Sequence, residues 1–163
     1  MKQLFLTIIF GSLTLAGLSQ EVMHGKVIEV LDGNTVLVLT ESEEKPYKIL
    51  LYEIDSPELN QAYGPESKSY LSKLLFSKKV TVTIHAKDRY GNLLGIILNG
   101  KKDARIDLLE AGYAWTSEKN PNPTLEKYRH MAQENRKGLW QETNPTPPWI
   151  FRRQQTMIDP KSR

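Results

Sequence analysis

The chain contains no cysteine. Disulfides, thiolate metal centres and a lipid-bearing cysteine anchor are therefore excluded, and the fold must be held by its core alone. Histidine is scarce, and His24, His85 and His130 show no metal-ligand spacing. There is no evident Ser-His-Asp arrangement, no glycine-rich phosphate loop, no internal repeat and no low-complexity block. Neither sign of charge is in large excess. A formal net charge of +3 permits a polyanionic partner without demanding one. With 39% hydrophobic and 25% charged residues among 163, the composition is that of one globular domain with a tail.

Long hydrophobic runs are also lacking, with one exception. Lys2 precedes an apolar stretch from Leu4 to Leu18, and Gly17 and Ser19 form a small-x-small pattern before Gln20. This predicts a signal peptide over residues 1–19, cut near Gln20, and an exported mature protein that is periplasmic or secreted. A membrane anchor is the competing reading, disfavoured because a span needs about 20 apolar residues. The remainder divides into a domain over 20–143 and a Pro-rich basic tail over 144–163.

Apolar alternation predicts strands over Glu21–Leu31, Thr35–Thr40 and Tyr47–Ile54, the first two joined by the Asp32-Gly33-Asn34 turn. These three form an antiparallel meander. Further strands are expected over Lys79–Ala86 and Leu93–Leu98. Helices are expected from Pro65 to about Phe76, from Asp103 to Ala111, and from Thr124 to Lys137 before Gly138. Five strands with a helix between the third and fourth make an α+β fold: a five-stranded OB-type β-barrel with about three helices.

Three segments stand apart by their turn and charge content: Asp32-Gly33-Asn34-Thr35, Ile54-Asp55-Ser56-Pro57-Glu58 and Asp88-Arg89-Tyr90-Gly91-Asn92. Their order, spacing and flanks resemble the staphylococcal nuclease-like family over about Val22 to Trp140. That family reads Asp-Gly-Asp-Thr, then an arginine shortly before Asp-x-Pro-Glu, then Asp-x-Tyr-Gly-Arg. Here Asn34, Leu50 and Asn92 stand at the second aspartate and at the two arginines.

The resemblance implies phosphodiester hydrolysis of DNA or RNA with one calcium ion. Calcium favours six to eight hard oxygen ligands. The family ligands fall on Asp55, on the backbone carbonyl of Ser56 and on Asn34, which keeps an oxygen but loses the charge. Asp32 falls behind the metal. Glu58 falls at the family base, where the competing reading is a loop carboxylate capping backbone amides. Tyr90 falls near the substrate phosphate. The family arginines supply a planar charged fork to the phosphate. Leu50 has no donor and Asn92 no charge, so weak calcium binding and impaired catalysis are expected.

Lys48, Arg89 and Arg105 are candidate substitute cations, each weighed below a solvated role. Tyr63, Trp115, Trp140 and Trp149 are read as packing aromatics ahead of base-stacking platforms. Arg152-Arg153, with Lys161 and Arg163, form a basic tail able to touch phosphates, a solvated tail being the commoner outcome. Three functions remain open: an exported, monomeric binding module for single-stranded nucleic acid or another polyanion; a divergent nuclease with altered ligands; and a structural protein without a ligand.

Overall fold

The computed structural model describes residues 21–158. The signal-peptide expectation, Lys161 and Arg163 lie outside the described residues. Strands β1 (Glu21–Val30), β2 (Thr35–Thr40) and β3 (Tyr47–Leu51) form the expected antiparallel meander. A short β4 (Ile54–Asp55) and helix α1 (Gly64–Leu75) follow, then β5 (Lys79–Lys87) and β6 (Leu93–Asn99). β5 pairs antiparallel with β1 and β6, and β6 pairs parallel with β3. That parallel contact closes a mixed five-stranded barrel, as the α+β barrel expectation requires.

Closure depends on β1 serving two neighbours. Its first half pairs with β5 and its second with β2, with a register shift between Val27 and Glu29. A bulge of this kind bends and twists a strand. Gly25 lies at the crossing, where a Cβ would come within 2.6 Å of the Leu39 carbonyl oxygen. Alternation places Val27, Val36, Val38, Ile49, Val82 and Ile97 wholly inside. Each such side chain contributes roughly 1.5–3 kcal/mol of burial. Leu71 and Leu75 of α1 join the same core.

Beyond the barrel come β7 (Lys102–Asp103), α2 (Ala104–Glu110), β8 (Trp115–Thr116), α3 (Pro123–Glu134), a 3-10 turn (Gly138–Gln141) and α4 (Pro148–Ile158). The described residues thus hold four α-helices, and α4 forms from the segment read as tail. Two other boundaries differ from expectation. The strand read as Tyr47–Ile54 stops at Leu51, because Glu53 adopts a left-handed backbone (φ 65). Ile54–Asp55 then restarts against β8. The helix read to Lys137 stops at Glu134, because Arg136 is left-handed (φ 51). The Lys137 N–H donates to the Ala132 carbonyl and the Arg136 N–H to that of Gln133, a Schellman ending.

Glu126 joins α3 to β8. Its carboxylate accepts from Thr116 Oγ1 and Arg129 and faces His130. The Arg129 hydrogen bonds lead in lowering its pKa from 4.5 to about 2. A depressed carboxylate pKa stabilises the fold above the unfolded value and loses that contribution as pH falls through the folded one. Glu126→Gln should therefore flatten the stability–pH curve between 4.5 and about 2, measured by urea unfolding at a series of pH values. An unchanged slope would show that the network is not coupled to folding.

Candidate functional site

The Asp32–Thr35 turn, the end of β3 and the Asp55–Glu58 loop meet on one side of the barrel. Gly33 makes their approach possible. A Cβ there would lie 2.6 Å from Ser56 Cβ and 2.8 Å from Ser67 Cβ. The Ser56 hydroxyl donates to the Gly33 carbonyl at 3.0 Å, and the Leu51 N–H to the Asn34 carbonyl at 2.8 Å. Asp32 accepts from the Asn34 N–H at 2.9 Å, which shapes the turn.

These segments line a concavity of about 600 Å³. Of the residues singled out from sequence, Asp32, Asn34, Leu50, Asp55, Ser56, Glu58 and Tyr90 line it, and Asn92 does not. The Asn92 carboxamide instead donates to Asp88 Oδ2 at 2.8 Å, while Asp88 Oδ1 accepts from the Tyr90 and Asn92 N–H groups. The Asn92 side-chain hydrogen bond leads in holding the Asp88 carboxyl below its usual range. The residue at the second arginine position thus tightens its own turn.

The candidate substitute cations separate cleanly. Arg105 is buried and fully engaged, with its guanidinium on Asp103, on Glu53 and on the Tyr52 carbonyl. It braces the left-handed Glu53 turn and does not line the concavity. Lys48 is exposed on β3 beside the Asp88 turn and also stays off the lining. Arg89 lines it and lies 4.7 Å over the Tyr90 ring, which is 74% exposed.

The cation that contacts the carboxylates is Arg152 of α4, which lines the concavity. Its Nη2 donates to Asp55 Oδ2 at 2.6 Å and its Nη1 to Asp55 Oδ1 at 3.1 Å, a two-pronged pair. Nη1 also donates to Glu58 Oε1 at 2.7 Å. Burial pushes the Asp55 carboxyl up, against the pull of Arg152 and with the push of Glu58 and Asp32. The bond to Asp55 leads in holding the Arg152 guanidinium more firmly protonated than a free arginine. Arg153 of the same helix pairs with Glu118 at 2.8 Å.

Aromatic packing places α4. Trp149 meets Trp115 edge-on at 5.7 Å, and Trp115 meets Trp140 at 4.4 Å. Tyr63 packs against the same small cluster. The four aromatics are packing residues, as the sequence suggested. Gln61, which sequence reasoning missed, is buried between the loop and the tail. Its Oε1 accepts from the Glu58 N–H at 3.1 Å and its Nε2 donates to the Thr146 carbonyl at 2.6 Å.

A calcium ion fits this arrangement poorly. Both Asp55 oxygens are taken by Arg152, Asn34 is neutral, and among the described residues no three carboxylate or imidazole side chains group to hold a metal.

The barrel and its loop-built concavity define an OB-type α+β domain. The profile of the family described as staphylococcal nuclease homologue matches residues 48–142. An "Uncharacterized endonuclease" of Escherichia coli O157:H7 is 38% identical over 132 residues, covering 80% of this chain and 85% of that protein. One of the same description from Haemophilus influenzae is 34% identical, covering 86% and 79%. A "Micrococcal nuclease" of Shigella flexneri is 32% identical, covering 80% of each. The chain belongs to the staphylococcal nuclease-like family.

Gln61→Leu should destabilise the protein by about 1 kcal/mol, because the half-buried Glu58 N–H and the Thr146 carbonyl lose the partner that ties the loop to the tail. Urea unfolding measures this, and a shift within experimental error would mean that water replaces the amide at no cost.

Proposed function

We propose that this protein is an exported, monomeric member of the family that binds single-stranded nucleic acid and is impaired in hydrolysing it. The carrying observation is the state of the concavity. Uncharged Asn34 and Leu50 line it, Asn92 is tied to Asp88, and Arg152 holds Asp55 and Glu58. A carboxylate base acts only beside a water and an activated phosphate. In this structure Glu58 is engaged by Arg152 rather than left free for a water. Losing one preorganised donor typically costs about 10²–10³ in rate, and the family fork lacks two.

Binding is supported by the rim. Arg89 lies over the exposed Tyr90 ring, and exposed Lys48 and Lys87 stand on β3 and β5, the two strands that flank the start of β6. Cations tracking a backbone beside an exposed aromatic are the elements of sequence-tolerant single-strand binding. No helix among the described residues is long and apolar enough to cross a membrane. The Leu4–Leu18 run supports export, with cleavage near Gln20.

One observation favours a divergent nuclease instead. Arg89 and Arg152 put two guanidinium groups on the lining, which also carries Glu58. Turnover of single-stranded DNA or RNA with calcium, against a chelated control, separates the readings. The impaired protein should show none in the range of roughly 1–10³ per second usual for enzymes. Chelator-sensitive turnover in that range would establish the nuclease. Fluorescence anisotropy should show oligonucleotide binding that weakens with salt and weakens again in Tyr90→Ala. Binding indifferent to both would remove the rim from the account.

Restoration is a sharper measure. Asn34→Asp, Leu50→Arg and Asn92→Arg together, combined with Arg152→Gln, should give calcium-dependent hydrolysis above the parent. Single changes should give little, since such groups act as a unit. A folded quadruple variant without activity would show that the deficit extends beyond these positions.

A further inference from the structure

We propose that Arg152 is the internal counter-cation of this site: α4 holds its guanidinium between Asp55 and Glu58, where it competes with any divalent cation for the same carboxylate oxygens. Calcium binds oxygen at about 2.3–2.6 Å. An ion at that range from Asp55 would occupy the space of the Arg152 nitrogens, which stand 2.6 and 3.1 Å from its two oxygens. Glu58 is drawn to the same guanidinium at 2.7 Å. One arginine therefore takes up both carboxylates.

The helix is fixed by contacts that owe nothing to the ion pair. Pro148 is buried, Trp149 lies against Trp115, Arg153 reaches Glu118, and Gln61 holds the Thr146 carbonyl just ahead of the helix. The arginine thus arrives on a docked element. It also arrives from outside the residues that match the family profile, which end at 142. The Arg152 side chain remains 48% exposed, so exchange for a solvent cation needs only a rotation of that side chain or a lift of α4. The inference rests on the proposed function only in taking Asp55 as the residue through which a cation would bind.

The test is calorimetric titration with calcium chloride alone, in the parent and in Arg152→Gln, each also carrying Asn34→Asp. The added aspartate gives the ion a second carboxylate, so that affinity is measurable. Removing the competing pair should tighten calcium by roughly tenfold or more, the scale of a charge-assisted hydrogen-bonded contact. Lys73→Gln removes the same charge from an exposed position of α1, away from the concavity, and it should tighten calcium far less. Circular dichroism establishes that each variant is folded. Equal calcium affinity with and without Arg152 would overturn the proposal. So would equal tightening by Lys73→Gln, which would reduce the effect to bulk charge. Hydrolysis by the parent protein would contradict the proposed function and leave this comparison of affinities standing.

Discussion

A carboxylate taken out of water must meet a positive charge or give up its own. Asp55 is that carboxylate here. It sits where the Asp32–Asn34 turn, the end of β3 and the Asp55–Glu58 loop converge, and burial is the largest influence on its pKa. The barrel forces this position. β3 must leave the sheet after Leu51, Glu53 turns left-handed, and Ile54–Asp55 restarts against β8. Arg105 braces that turn from behind through Glu53 and Asp103. What faces Asp55 from the front then decides what the site can do, and in this protein it is Arg152.

The surrounding packing follows from that requirement. The Trp115, Trp140 and Trp149 cluster gives α4 a place to lie, and Gln61 links the Glu58 loop to the segment entering the helix. An exposed ion pair contributes little to stability, with values of about 0–1 kcal/mol being usual. Arg152 is half exposed, so the pair is better understood as neutralising the site than as holding the helix. Docking is apolar work, and the charge pairing is its consequence.

Much of this was legible in the sequence. Period-two alternation located the barrel strands, because each has one inward face. The three motif segments pointed to the concavity through the family resemblance they carry, and Asn92, expected among its residues, stays off the lining. The boundaries that failed were set by backbone strain at Glu53 and Arg136, residues with no compositional mark of a left-handed conformation. Asn92 kept its motif spacing and still turned to Asp88, since a short amide finds a local acceptor more readily than a distant ligand. Arg152 could be read only as a basic tail residue. Its role depends on a helix docked by tryptophan contacts between segments far apart in the chain, and no local pattern records them. Gln61 was silent for the same reason.

The central claim is that Asp55 is neutralised from within the chain. A crystal structure of the protein grown in millimolar calcium tests it most directly. The account predicts that the Arg152 guanidinium remains on both Asp55 oxygens, with α4 docked and no ion between Asp55 and Glu58. A calcium ion bound through Asp55, with Arg152 turned away into solvent, would contradict it.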